Sequence, residues 1–335
     1  MKAIQIVDLT GPESALQLVE VPEPEPTHTL GGAGFDSGVV IDVHCAGVAF
    51  PELLQTRGEY QIKPPLPFVP GSEVSGVVRS APAADGQSGL KAGDRVAAFC
   101  ALGGFAETAV APPFLTFALP AVLDFAQGAG LILNYHTAYF SLVLRGRLRA
   151  GETVLVHGAA GGVGTAALQV AKGLGARTIA VVSSAAKQQV AEEAGADHVV
   201  RSDGLWKDQA KELSGGGVEV VFDPVGGSLF TDSLRSLREG GRLIVVGFAG
   251  GSIPEVKVNR LLLANTEVIG AGWGGYAMGR PEVNLEIGAA INRMIEQGNV
   301  APIVGERFPL ERAADALRAI EERRATGKIV LDVRS

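Results

Sequence analysis

The spacing of apolar residues divides this chain near Asp124. Before that point short apolar or alternating stretches are broken by Pro, Gly, Asp and Ser. They read as strands at Lys2–Val7, Val39–Val48, Ser75–Arg79 and Arg95–Phe99, with Ser80–Lys91 as a polar loop. Close strands with many turns predict a small β barrel or sandwich. After Asp124 apolar runs alternate with helical periodicity. Strands are predicted at Thr153–His157, Thr178–Val182, Val218–Phe222, Arg242–Gly247 and Val268–Gly270, and helices at Thr165–Leu174, Ala185–Ala194 and Leu229–Leu237. This alternation predicts an α/β fold with a parallel, doubly wound sheet. Two further helices, Glu282–Gln297 and Leu310–Thr326, precede a terminal strand, Lys328–Val333. That strand must pair with something, and a return to the first domain is expected.

Composition narrows the picture without changing it. The 335 residues suit two domains, and 47% hydrophobic with 19% charged residues is ordinary for a globular enzyme. A net charge of -7 argues against a nucleic-acid partner, because phosphate backbones need basic surface. No apolar run is long enough to span a bilayer, and Met1–Leu9 lacks the apolar core of a signal peptide, so a cytoplasmic protein without membrane attachment is expected. Cys45 and Cys100 are read as free thiols.

The strongest local signal is Val154-Leu-Val-His-Gly-Ala-Ala-Gly-Gly-Val-Gly164, which runs from a strand into a helix. A Gly-rich turn at that junction lets the backbone approach an anion, and the helix N-terminus supplies N–H groups and a favourable dipole. Ala160, Gly161, Gly162, Val163 and Gly164 are therefore assigned to a dinucleotide diphosphate. An NAD site places an acid about 20 residues further on, at the end of the second strand. Here that strand ends in Ser183 and Ser184, with Lys187 in the next helix and Arg201 after the next strand. Hydroxyls and cations in place of an acid suit a 2′-phosphate, so the expected cofactor is NADPH. Alternatively, Ser183 merely caps the helix and Lys187 is solvated surface.

With these residues in place the chain resembles the zinc-free quinone oxidoreductase branch of the medium-chain dehydrogenase/reductase superfamily. The resemblance runs through Ala46-Gly-Val48, Arg57-Gly-Glu-Tyr60, Pro67-Phe-Val-Pro-Gly-Ser-Glu-Val-Ser-Gly76, Gly93-Asp-Arg-Val96, Gly103-Gly-Phe-Ala-Glu107, His136-Thr-Ala-Tyr139, the Gly-rich turn, Asp223-Pro-Val-Gly-Gly227 and Gly327-Lys-Ile-Val-Leu331. It implies a GroES-like catalytic domain at 1–123 and 272–335 around a Rossmann domain at 124–271, and a homodimer. It places Thr137 near the nicotinamide and Lys328 near the cofactor. Gly247 and Phe248, after a sheet strand, are added as cofactor-facing residues on the switch-point rule. Zinc-dependent relatives carry Cys and His where Ala49 and Ser72 stand, and the two cysteines here cannot build a tetrahedral site, so no metal is expected. Without a Lewis acid, the expected substrate is a small, hydrophobic, electron-poor acceptor that delocalises charge itself.

An acceptor reduced by hydride also needs a proton. Tyr60, Tyr135, Tyr139 and His136 are the candidates; Tyr60 is preferred because related enoyl-thioester reductases carry a catalytic Tyr two residues after a Gly in this segment. Ala49 and Leu54 stand where many quinone oxidoreductases have Asn and Tyr, which implies a greasier pocket. Three activities remain open: quinone reduction by hydride or single electrons, reduction of enones, enals or enoyl thioesters, and NADPH binding with little catalysis.

Overall fold

Val39–Val48 is a nearly unbroken apolar stretch, and in the computed structural model it is a central strand of a seven-stranded sheet. The structure describes residues 1–26, 28–30, 33–35, 37–82 and 89–334, so part of the expected Ser80–Lys91 loop and the side chain of His28 lie outside the described residues. The sheet runs Val304–Pro309, Lys328–Asp332, Val39–Val48, Glu73–Ser80, Arg95–Phe99, Thr116–Ala118, and Thr108–Ala111 also pairs with Val39–Val48. Val39, Ile41 and Val43 are fully buried and pack in one core with Val74, Val78, Val96 and Leu331. Asp42, between them, instead meets Arg79 at 2.5 Å. Such alternation is what a half-buried strand requires. Lys328–Asp332 pairs antiparallel with Val48–Cys45, so the terminal strand finds its partner near the other chain end.

The chain divides into two units, one of Met1–Leu133, Ala277–Ala289 and Pro302–Ser335, the other of Asn134–Tyr276 and Ala290–Ala301. The first holds the mostly antiparallel sheet just described, together with an antiparallel ribbon of Lys2–Ile6 and Leu16–Glu20. Both cysteines belong to it, and both are free and buried. Burial, then the neighbouring Asp332 carboxylate, pushes the Cys45 thiol up to about 12, and burial also pushes Cys100 up.

The second unit is a six-stranded parallel sheet in the order His198–Arg201, Arg177–Val182, Thr153–His157, Val218–Asp223, Leu237–Val245, Glu267–Gly270. In chain order this is 3-2-1-4-5-6, the Rossmann arrangement, with its switch point at Thr153–His157. Helices Gly162–Gly173, Ala185–Glu193, Trp206–Leu213 and Phe230–Ser236 connect the strands. Leu155, Ile179, Val221 and Leu243 lie in one core with Trp206 and Phe230.

Three predicted elements need correction. The strand expected at Arg242–Gly247 is Leu237–Val245, because beyond Val246 the chain leaves the ladder and Ala249 and Gly250 donate to the carbonyls of Pro224 and Val225 instead. The helix expected at Leu310–Thr326 is a short 3₁₀ turn followed by Ala313–Glu321. It stops where Arg323 turns left-handed (φ 56°) and Arg324 N–H bonds back to the Ala319 carbonyl. The helix expected from Thr165 starts at Gly162, since Gly161 already has the extended conformation of an N-cap.

Candidate functional site

Thr153–His157 is buried along its whole length and delivers the chain to the Gly-rich turn. Gly158 takes a φ of +58°, and Gly161 N–H closes the turn on the Gly158 carbonyl at 3.0 Å. Ala159 and Ala160 are buried, while Gly161, Gly162 and Val163 are half-exposed. Gly161 caps the following helix without any side-chain acceptor. The first-turn N–H groups of Gly162, Val163 and Gly164 have no intrahelical partner and face outward with the positive end of the dipole. A Cβ on Gly164 would lie 2.2 Å from the Gly158 carbonyl oxygen, so the turn closes this tightly only over glycine. A cradle of backbone amides closed this tightly at Gly164 fits a diphosphate.

The next strand, Arg177–Val182, ends at exposed Ser183 and half-buried Ser184. Ser184, not Ser183, is the helix cap: its hydroxyl oxygen accepts the Lys187 N–H at 3.2 Å. Arg201 is the last residue of strand His198–Arg201 rather than lying beyond it, and its guanidinium donates to the Ser183 carbonyl at 3.1 Å. Gly247 and Phe248 follow the strand Leu237–Val245. Ala160–Gly164, Ser183, Ser184, Lys187, Arg201, Gly247 and Phe248 therefore all gather at the carboxyl ends of strands in one parallel sheet. Thr137, also in this unit, is half-buried in a short helical turn between two π-helical segments, Ile132–His136 and Phe140–Arg145. Insertions of that kind are frequent at functional sites.

The remaining predicted residues belong to the first unit. Lys328 is buried, and its ammonium donates to the equally buried Glu73 carboxylate, whose other oxygen accepts the Leu133 N–H at 2.9 Å. Sequence reasoning placed a cation there but missed its partner. Tyr60 is half-buried, and its phenol is pushed up by burial and then by the negative charge of Glu52.

Glu52 itself was not foreseen. It is fully buried at the start of helix Phe50–Gln55; it accepts the N–H groups of Ala49 at 2.9 Å and Ser72 at 2.8 Å, and the Ser72 hydroxyl. Burial raises its carboxyl, while Ser72 and then the charge of Lys328 pull it back. The carboxylate thus joins the two backbone positions, 49 and 72, that carry ligands in zinc relatives. Among the described residues no group of three or more His, Cys, Asp or Glu is disposed to hold a metal.

Of the other proton-donor candidates, Tyr135 is buried with its hydroxyl committed to Gln169 at 2.7 Å. Burial drives His136 down to about 3, leaving a neutral ring edge-on to Trp273. His157, at the strand end before Gly158, contacts the Ser233 hydroxyl at 2.8 Å and the edge of Trp206.

Residues 36–121 match the alcohol dehydrogenase GroES-like domain, and residues 162–286 match the zinc-binding dehydrogenase family. Quinone oxidoreductase-like protein 2 of Mus musculus is 39% identical, with 88% of this chain and 85% of that protein covered. The Thermus thermophilus quinone oxidoreductase, solved alone and with NADPH, is 32% identical with a TM-score of 0.82, over 99% of this chain and 100% of that one. The Escherichia coli quinone oxidoreductase complexed with NADPH is 30% identical with a TM-score of 0.86, over the same shares.

Proposed function

The chain belongs to the zinc-free quinone oxidoreductase branch of the medium-chain dehydrogenase/reductase superfamily, and from that premise we propose that it is an NADPH-dependent reductase of quinones. The carrying observation is the carboxyl edge of its parallel sheet, where a glycine-rich turn opens a helix that no side chain caps and the neighbouring strand ends in hydroxyls and cations. In this reading the amides of Ala160–Gly164 hold the diphosphate. Ser183, Ser184, Lys187 and Arg201 hold the 2′-phosphate, which a carboxylate at that strand end would repel. Thr137, Gly247 and Phe248 line the path toward the nicotinamide, and Lys328, fixed by Glu73, acts as a positioning residue. NADPH, when bound, supplies the hydride. Relatives solved with NADPH support the same cofactor here.

A second reading, reduction of an enone, enal or enoyl thioester, rests on Tyr60. A phenol raised by burial and by Glu52 keeps its proton at neutral pH and can deliver it to a carbanion. We also propose a homodimer. Strand Glu267–Gly270 is the last in its sheet, and Leu262 and Leu263 beside it are about three-quarters exposed, at 76% and 80%, a surface suited to a second copy. No helix among the described residues is long and apolar enough to cross a membrane.

The test is NADPH oxidation by the purified, chelator-treated protein with a benzoquinone, an enal and crotonyl-CoA in parallel. Turnover of the quinone is the expected result. Turnover of only the enal or thioester, abolished by Tyr60→Phe, would replace quinone reduction by the second reading, and silence on all three with NADPH still bound would leave a cofactor-binding protein.

A further inference from the structure

His157 ends strand Thr153–His157, and Asp223 ends its parallel neighbour Val218–Asp223. The register pairs Val156 with Phe222, so the next step along the two strands sets His157 beside Asp223, both side chains on one face of the sheet. They are 0% and 1% exposed. In each, one polar atom of the side chain is bonded and the other is not. Among the described residues His157 Nδ1 and Asp223 Oδ2 have no hydrogen-bond partner, so they do not bond each other directly. Native proteins leave few buried polar atoms in that condition, and ordered water is a common partner for them.

The neighbouring bonds fix what kind of partner fits. The Ser233 hydroxyl has one hydrogen and donates it to the Leu229 carbonyl at 2.9 Å. It therefore accepts the bond it shares with His157 Nε2 at 2.8 Å, and the ring carries its hydrogen on Nε2. Nδ1 is then a bare acceptor. Asp223 Oδ1 accepts the N–H groups of Val225 at 2.9 Å and Gly226 at 2.8 Å, and Oδ2 is a second acceptor. Two acceptors side by side cannot satisfy one another. They need a single small group with two hydrogens. A proton on Nδ1 does not serve, since burial, against the charge of Asp223, lowers the ring to about 4 and keeps it neutral.

We propose that His157 Nδ1 and Asp223 Oδ2 bind one buried water molecule, which donates a hydrogen to each. The water ties together the carboxyl ends of two adjacent strands at the switch point of the sheet. From one strand the chain enters the glycine turn at Gly158; from the other, Asp223 shapes the turn through Gly226. The turns touch, as a Cβ on Gly158 would lie 3.2 Å from Val225 Cγ2. The water is thus a structural ligand of the fold, independent of which dinucleotide the chain takes.

The test is a crystal structure of the ligand-free protein that resolves ordered water, with nitrogen NMR of the His157 ring in histidine-labelled protein. A water within hydrogen-bond reach of both atoms is expected, beside a neutral ring protonated on Nε2. Asp223→Asn should keep the water, because the amide NH₂ can donate to it while it still donates to Nδ1. His157→Phe keeps a ring beside Trp206 but should lose the water. The Val225 and Gly226 amides should then exchange with solvent about tenfold faster, the effect of leaving one buried acceptor unsatisfied. A proton on Nδ1 in the wild type, or no ordered water between the two residues, overturns the proposal. So does a water that persists in His157→Phe. The wild-type ring and Asp223→Asn decide the question even where His157→Phe does not fold.

Discussion

In the first unit Glu52 and Glu73 are fully buried, and each is consumed by the protein. Glu52 takes two backbone N–H groups and a hydroxyl; Glu73 takes an ammonium and a backbone N–H. In the second unit the turn from Gly158 to Gly164 ends on helix amides that no side chain caps. The two carboxylates are enclosed, whereas Gly158 is exposed and Gly161–Val163 are half-exposed. The two regions differ in whether hydrogen-bonding capacity is spent or left over. Spent capacity holds loops together; leftover capacity at a helix N-terminus is where an anion gains most.

The comparison breaks first at Lys328. Lys328→Met would leave the buried Glu73 side chain without its cation, and should cost about 3–5 kcal/mol in urea unfolding. Adding Glu73→Gln should recover most of that loss. If the single variant is as stable as wild type, Glu73 is not the scaffold group described. A smaller effect is expected at the turn. Gly164→Ala forces a methyl against the Gly158 carbonyl, for a loss of about 1–3 kcal/mol. NADPH binding should fall with it, and titration of the folded fraction would detect this. A variant that melts early yet binds NADPH normally would separate the turn from the ligand.

The smallest test concerns His157, which supports the turn from behind. Burial lowers it to about 4, opposed by the charge of Asp223, so the fold favours the neutral ring. Below the ordinary imidazole range the unfolded chain takes up a proton that the folded chain refuses. Stability is therefore complete above that range and is lost as pH falls toward about 4, by roughly 1.4 kcal/mol per pH unit. Thermal melts at stepped pH should show this slope in wild type, and it should be shallower in His157→Gln. Parallel profiles for the two proteins would remove His157 as the source.

Strands with strong local patterns were legible in the sequence: Val39–Val48, Arg95–Phe99 and Thr153–His157 lie where apolar run and flanking turn residues put them. The junction of strand, glycine turn and helix was equally plain, because each of its parts is local. What escaped was relational. Nothing near Glu52 announces that it will meet Ser72, nor does Lys328 announce Glu73 across most of the chain's length. The strand expected at Arg242–Gly247 overran its C-terminal end for the same reason: the carbonyls of Pro224 and Val225, distant in sequence, draw the backbone away.

The two buried cysteines have a consequence for the chemistry proposed. Quinones and enals alkylate thiolates, and a reductase that gathers them risks modifying itself. With Cys45 held up to about 12 and Cys100 enclosed in the core, the folded chain presents no thiolate at neutral pH. An electrophile of the class proposed as substrate finds no thiolate on it, so the fold doubles as chemical armour.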